Sequence, residues 1–380
     1  MKEFNLAIET RIHFGAGITE KALREENDVL QGNVLIVTTG RSLKRLGYLD
    51  ELQNYLSKLQ GIQKIFIYEE ISQNPEIKEI ERAVILGKKN AVNAVIGFGG
   101  GSAIDAAKAA AVGIASDIPI EKYLLEGLKP AKNTLPIVAI PTTAGTGSEL
   151  SRAAIISSSE HQLKGGIRGK EILPKAAIVD PRYTYSVPEK ITMETGFDAL
   201  AHAIESYMAV KANPFSEMLS EKAIQVIGTN LRCLHQNMED HMARDEMSYA
   251  SMLMGVNLAN VGTCLPHRMQ YVVGVQTHTS HGAGLLAMYP AWLGLEYTVQ
   301  EQRVNHVLEW LGLEKADSSA RVQEIFRRFL HELGSDYTLS SFGIRKEMIA
   351  DMTVRVTGNI ANDRLAVEEG SIDRIFTESL

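Results

Sequence analysis

The chain is poor in the features that mark secreted, membrane and nucleic-acid-binding proteins. Its 380 residues include only two cysteines, Cys233 and Cys264, which cannot form a disulfide framework and fit a reducing compartment. No segment reaches the roughly 18 consecutive apolar residues that a membrane helix needs. Its 39 Lys and Arg against 46 Asp and Glu give a net charge of −7, which argues against a basic surface for nucleic acid.

The N-terminal residues are polar and alternating, which is not the pattern of a secretory signal. We therefore expect a cytoplasmic protein without a membrane or nucleic-acid partner. A hydrophobic content of 45% and a charged content of 22% are those of an ordinary globular protein. A chain of this length is expected to form one large or two ordinary domains.

Strand and helix patterns alternate in the first half, which predicts a parallel sheet with helices on both faces. Apolar residues at helical spacing predict one helix over Arg41–Leu59. The predicted strands are Val34–Val37, Ile65–Tyr68, Ala94–Phe98, Leu135–Pro141 and Ala176–Asp180.

Helical patterns dominate from Pro188 onward, including Glu189–Met208, Tyr289–Trp310 and Arg345–Val356. A domain boundary near Tyr185 follows from this change. The sequence therefore predicts an α/β dinucleotide-binding domain over residues 1–185 and an all-helical domain over residues 186–380.

A glycine-rich turn, Gly99, Gly100, Gly101 and Ser102, lies between a predicted strand and a predicted helix. Glycines allow a backbone to approach a ligand closely, and the free amides at a helix N-terminus suit a pyrophosphate. The turn is not the GxGxxG fingerprint, so a tight turn without a ligand is the alternative.

A second turn of small and hydroxyl-bearing residues, with Thr142 and Thr143, follows the next predicted strand. Ligands of open α/β sheets bind beyond the carboxyl ends of the strands. Two such turns on neighbouring strands are stronger evidence for a nucleotide site than either turn alone.

A pair of metal-ligating residues, Asp198 and His202, is spaced four apart in a predicted helix, on one face of it. A carboxylate and an imidazole can share a divalent ion there, although an ordinary surface pair has the same spacing. His267, His278 and His281 follow downstream and could complete a site with an open position.

With these motifs the chain resembles the iron-dependent (group III) alcohol dehydrogenase family over nearly its whole length. The resemblance is carried by Gly99–Ser102 with Asp105 and Lys108, by Pro141–Glu149, by Gly196–Glu205, and by His267 with His281 and Gly282. It implies an α/β N-terminal dinucleotide-binding domain plus an all-α C-terminal metal-binding domain, the dehydroquinate synthase-like architecture. It also leads us to expect a homo-oligomer.

The resemblance further implies that one divalent metal, Fe2+ or Zn2+, is held by Asp198, His202, His267 and His281. It implies NAD or NADP as the cofactor. The expected cofactor contacts are Thr39, Gly99, Gly100, Gly101, Ser102, Thr142, Thr143 and Lys164.

Two departures from the family pattern affect the predicted chemistry. Many members carry a second His where this chain has Tyr271, so Tyr271, His278 or solvent would have to supply the proton. NAD-preferring members often have an acidic residue where this chain has Thr39, followed by Arg41 and Lys44. NADP is therefore admissible, unless the two cations merely solvate the first helix.

Arg268, directly after the expected ligand His267, is our candidate for substrate choice. An Arg in a dehydrogenase pocket can bind a carboxylate, sulfonate or phosphonate in bidentate fashion. The alternative is an Arg268 that turns outward to a Glu or to a subunit interface.

The predicted function is the reversible, metal- and NAD(P)H-dependent reduction of a small aldehyde, with sulfoacetaldehyde or phosphonoacetaldehyde as anionic examples. A simple short-chain alcohol or diol dehydrogenase is one alternative. A glycerol dehydrogenase or dehydroquinate synthase relative is another, although the Asp198 and His202 spacing favours the alcohol dehydrogenase branch. The last alternative is a relative that binds metal and nucleotide but catalyses no reaction.

Overall fold

The computed structural model describes residues 3–380. Its internal contacts separate two compact units, of which one is Ala7–Ser186 and the other includes Val187–Leu380. No helix within the described residues combines the length and apolarity needed to cross a membrane.

The unit Ala7–Ser186 is built on a six-stranded parallel sheet with the strand order β1-β8-β5-β4-β2-β3. The remaining two strands, β6 and β7, pair with each other in antiparallel fashion. The strands are β1 (Arg11–Phe14), β2 (Gly32–Val37), β3 (Ile62–Tyr68), β4 (Val92–Gly99), β5 (Ile137–Pro141), β6 (Ala153–Ser158), β7 (Leu163–Arg168) and β8 (Ala176–Val179). The helices are α1 (Thr19–Glu25), α2 (Ser42–Arg45), α3 (Tyr48–Ser57), α4 (Ile77–Lys89), α5 (Gly101–Ile114) and α6 (Ile120–Leu125).

Both faces of the sheet are buried, as the β-branched runs in its central strands require. Leu35 and Val37 of β2 belong to a core shared with α4 and α5, whereas Val34 and Ile36 belong to a core shared with α3. Because successive side chains of a strand point to opposite faces, each central strand supplies both cores. The predicted parallel sheet with helices on both faces is confirmed.

The prediction of one helix over Arg41–Leu59 is wrong. Gly47 has a φ of 80° and separates α2 from α3. A left-handed backbone cannot continue an α-helix, and glycine adopts that conformation without a steric cost. The leucine spacing persists on both sides of the break, so the apolar pattern alone does not reveal it.

The motif residues Asp105 and Lys108 of α5 connect this helix to the chain that follows β5. The fully buried Lys108 Nζ donates to the carbonyls of Ser148 and Ala153, both at 2.7 Å. Asp105 Oδ2 accepts from the Ile155 amide at 2.9 Å. These two side chains therefore hold the second turn of small residues against the helix that begins at the glycine turn.

Replacing Lys108 by Met is expected to destabilise the protein by roughly 3–5 kcal/mol, because the change leaves Asp105 buried without its cation. Urea unfolding measures this loss. The matched control is Lys122→Met on α6, since the Lys122 side chain is 56% exposed. Equal stability of the two variants would contradict a structural role for Lys108.

The unit that includes Val187–Leu380 is helical. Helix α7 is buried along most of its length and packs against α8, α9 and α11. Helix α11 is locally non-helical at Gln300, and the helix predicted over Arg345–Val356 is reduced to α13 after a short 3-10 turn. The helices are α7 (Glu189–Met208), α8 (Pro214–Gln236), α9 (His241–Asn260), α10 (Leu265–Thr277), α11 (His281–Trp310), α12 (Ser319–Glu332), α13 (Ile349–Val354) and α14 (Ser371–Glu378).

Candidate functional site

The glycine turn between β4 and α5 leaves no room for side chains. Gly99 has a φ of 152°, and a Cβ on it would lie 2.7 Å from the Cβ of Ala103. A Cβ on Gly101, the first residue of α5, would lie 2.8 Å from Thr146. The first amides of an α-helix have no partner within the helix, so those of Gly101 and Ser102 suit a phosphate group.

The threonines expected to contact the cofactor surround this turn. The Thr142 amide donates to the Gly99 carbonyl at 3.0 Å. A Cβ on Gly100 would lie 3.3 Å from Thr143 Oγ1, and a Cβ on Gly99 would lie 3.7 Å from Thr39 Oγ1. The carboxyl ends of β2, β4 and β5 thus bring together residues from three separate parts of the chain.

Ser102 and Lys164 reach neighbouring residues in the segment between β3 and α4. The Ser102 hydroxyl donates to the carbonyl of Gln73, and Lys164 Nζ donates to Asn74 Oδ1 at 2.9 Å. Lys164 lies on β7, in the hairpin that periodicity did not predict. All eight residues expected to contact a cofactor therefore lie within one unit.

The candidate metal centre is organised around one carboxylate on α7. Asp198 Oδ1 lies 3.3 Å from His267 Nε2, 3.5 Å from His281 Nε2 and 3.8 Å from His202 Nδ1. The ligand atoms of Asp198, His267 and His281 all lie within 4.8 Å of one another. The His202 ring stacks on that of His267 with a centroid separation of 4.4 Å.

The three distances from Asp198 Oδ1 are close to those between ligands around one small cation. Tetrahedral ligands at bonds of about 2.1 Å are about 3.4 Å apart. Among the described residues, the buried atoms Asp198 Oδ1 and His267 Nε2 have no hydrogen-bond partner. Since buried polar atoms almost always have partners, the arrangement of these two atoms fits a divalent metal.

Glu205 holds the expected ligand His267 in place. It is fully buried, and its Oε1 lies 2.7 Å from His267 Nδ1. Its Oε2 accepts from the Cys264 amide at 2.7 Å, which fixes the start of α10. A donated Nδ1–H leaves the Nε2 lone pair for a metal. The sequence analysis names Glu205 in a motif but assigns it no role. Glu205 lies seven residues after Asp198 and three after His202, so all three residues share one face of α7.

His281 is held by close packing of α11 on α7. A Cβ on Gly282 would lie 2.2 Å from the Glu194 carbonyl oxygen, so only glycine lets the two helices approach this closely. His281 Nδ1 hydrogen-bonds Gln270 Oε1. Gln270 is a second residue that sequence reasoning missed, although it lies three after His267 on the same helix.

The carboxylates and imidazoles strongly shift each other's pKa values. Burial alone would raise the pKa of Asp198, but the facing imidazoles of His202, His281 and His267 hold it well below its usual value. Burial opposes a charged His267, yet the carboxylates of Glu205 and Asp198 raise its pKa to about 10. In the metal-free protein a proton on His267 therefore compensates the buried negative charge.

This pKa shift predicts how the stability of the metal-free protein depends on pH. The folded pKa of about 10 exceeds the ordinary 6.5, so the stabilisation is complete below pH 6.5 and is lost as the pH rises through 10. The measurement is the Tm of chelator-treated protein across this range. The slope is expected to flatten in His267→Gln, and an unchanged slope would contradict the assignment.

The three remaining predicted site residues lie at different places on α10. Tyr271 is half-buried, with its ring centroid 6.3 Å from that of His281. His278 is exposed at the end of the helix, with a φ of 56°. Arg268 Cζ lies 5.5 Å from the centroid of the Tyr271 ring, and Arg268 Nη2 donates to Thr263 Oγ1 at 2.8 Å. The structure thus groups Arg268 with Tyr271 and leaves His278 apart.

Both units match one family of known proteins. Residues 9–181 match the family model for iron-containing alcohol dehydrogenases, and residues 192–377 match the C-terminal model of the Fe-containing alcohol dehydrogenase family. Long-chain-alcohol dehydrogenase 1 of Geobacillus thermodenitrificans is 32% identical, over 96% of this chain and 93% of that protein.

Two further similar proteins share one activity. Sulfoacetaldehyde reductase of Bilophila wadsworthia is 30% identical over 89% of this chain and 88% of that protein. The crystal structure of sulfoacetaldehyde reductase from Bifidobacterium kashiwanohense in complex with NAD+ superimposes with a TM-score of 0.87 and 25% identity, covering 100% of this chain and 99% of that one. The predicted family and fold class are confirmed.

Proposed function

Because this chain belongs to the iron-containing alcohol dehydrogenase family, we propose that it reduces a small aldehyde reversibly with NAD(P)H and one divalent metal, Fe2+ or Zn2+. The observation that carries the proposal is Asp198 Oδ1, a buried oxygen without a hydrogen-bond partner among residues 3–380 that faces three imidazoles. An oxygen in that position suits a divalent cation, which would take the place of the His267 proton of the metal-free protein.

One set of residues would hold the metal and a second set would hold the cofactor. A divalent ion supplies Lewis acidity to a carbonyl oxygen, and a reduced nicotinamide supplies the hydride. Asp198, His202, His267 and His281 would hold the ion. The amides of the glycine turn would bind the pyrophosphate of the cofactor, with the surrounding threonines and Lys164 as further contacts.

Tyr271 is the proposed proton donor to the nascent alcohol. Its ring is near the ligand His281, and Arg268 lies against it. His278 is the weaker of the two candidates, because it is exposed at the helix end.

NADH is the proposed cofactor in preference to NADPH. Thr39 forms an isolated bridge with Glu70, and Arg41 lies 3.8 Å from Glu69. The Glu69 carboxylate offsets the charge of Arg41 beside the end of β2, so this cation attracts a 2′-phosphate less strongly.

The decisive assay is aldehyde-dependent oxidation of NADH and NADPH by protein loaded with Fe2+ or Zn2+. We expect turnover that a chelator abolishes and the same metal restores, with a higher kcat/KM for NADH. Stoichiometric metal binding without turnover of any aldehyde would instead support the non-catalytic alternative. A higher kcat/KM for NADPH would contradict the cofactor preference alone.

The finer proposal is that the aldehyde carries an anionic group. Within the described part of the chain Arg268 is hydrogen-bonded to the hydroxyl of Thr263 and not to a carboxylate, and its buried Nε has no hydrogen-bond partner. Its guanidinium is held by Thr263 and Tyr271, not by a Glu. An unpaired guanidinium is suited to a sulfonate, phosphonate or carboxylate, and the two sulfoacetaldehyde reductases among the similar proteins act on such an anion.

Arg268→Ala is expected to lower kcat/KM for sulfoacetaldehyde by 10-fold or more, because a hydrogen bond to a charged group contributes about 1.5–3 kcal/mol. The kcat/KM for propanal is expected to stay unchanged. The matched control is Arg355→Ala directly after α13, where the arginine pairs with Asp351. Equal losses on both aldehydes, or no loss, would remove the anion proposal and favour a simple alcohol dehydrogenase.

A further inference from the structure

Two of the expected metal ligands are held by different chemical groups. His267 Nδ1 faces the carboxylate of Glu205, whereas His281 Nδ1 faces the neutral amide of Gln270. A carboxylate partner makes an imidazole a stronger donor to a metal than an amide partner does. The two imidazoles are therefore unequal ligands.

The orientation of the Gln270 amide follows from its second contact. Gln270 Nε2 lies 3.5 Å from the Ser280 carbonyl oxygen. A reversed amide would place its own oxygen against that carbonyl and lose the interaction. Oε1 therefore faces His281 and can only accept, so His281 carries its proton on Nδ1 and presents the Nε2 lone pair toward Asp198.

Space for this amide is provided by two glycines. Gln270 is fully buried. A Cβ on Gly274 would lie 3.3 Å from its Nε2, and a Cβ on Gly284 would lie 3.1 Å from its Cγ. The first glycine belongs to α10 and the second to α11, so the amide fills a gap between the helices that carry His267 and His281.

We infer that Gln270 is a positioning residue, which fixes the tautomer and orientation of His281 and thereby sets the affinity of the metal centre. The inference rests on the proposed function only in assuming that a divalent ion binds at Asp198. Gln270 itself touches neither the ion nor the substrate in this account.

The test compares Gln270→Met, Gln270→Glu and the control Gln276→Met, an exposed glutamine of the same helix. Zn2+ affinity is measured by competition with a chromogenic chelator. Gln270→Met fills the same space without an acceptor, and its affinity is expected to fall about 10–100-fold. Gln270→Glu again accepts the Nδ1 proton and is expected to bind at least as tightly as the wild type.

A second readout is independent of affinity. In histidine-labelled, Zn2+-loaded protein, nitrogen NMR is expected to show a His281 Nδ1–H that exchanges slowly with solvent in the wild type and faster in Gln270→Met. Wild-type Zn2+ affinity in Gln270→Met, equal losses in both Gln270 variants, or equally slow Nδ1–H exchange in Gln270→Met and the wild type would each overturn the inference. Failure of the wild type to bind either Zn2+ or Fe2+ would instead overturn the proposed function.

Discussion

The helical unit is organised around the negative charge of Asp198, which is removed from water and directed at three imidazoles. An isolated buried carboxylate is too costly to retain without a cation. In the metal-free protein the raised pKa of His267 provides that cation as a proton. A divalent ion would replace the proton, so folding and metal binding depend on the same charge.

The packing of the helices serves this arrangement. Helix α7 carries Asp198, His202 and Glu205 on one buried face. Helix α10 begins where its Cys264 amide meets Glu205, and α11 begins where Gly282 lies against the α7 backbone. Helices α10 and α11 are thus each fixed to α7 within a few residues of the proposed ligand they carry, which limits the reorganisation that metal binding would require.

Much of the fold and part of the candidate metal centre could be predicted from the sequence, because both depend on the local spacing of residues. The four-residue spacing of Asp198 and His202 places both on one helix face, and the β-branched runs correctly predict the buried parallel strands. The placement of His267 and His281 beside Asp198 is a long-range property that spacing cannot give, and it came from the family resemblance. Glu205 and Gln270 were visible as helix-face neighbours, but nothing local distinguishes a residue that holds a ligand from one that packs.

Other features could not be predicted from the sequence because they depend on single backbone conformations or on distant contacts. The break at Gly47 leaves the leucine spacing intact, and the β6–β7 hairpin is short and only partly buried. The burial of Lys108 depends on carbonyls about forty residues away, which no local pattern in the sequence reports.

The most direct test of the central claim is anomalous diffraction from crystals of the protein loaded with Fe2+ or Zn2+. The account predicts one strong peak bonded to the Asp198 carboxylate and to the imidazoles of His202, His267 and His281. The absence of a peak there, with Asp198 hydrogen-bonded to a protonated His267 in the presence of excess metal, would contradict it.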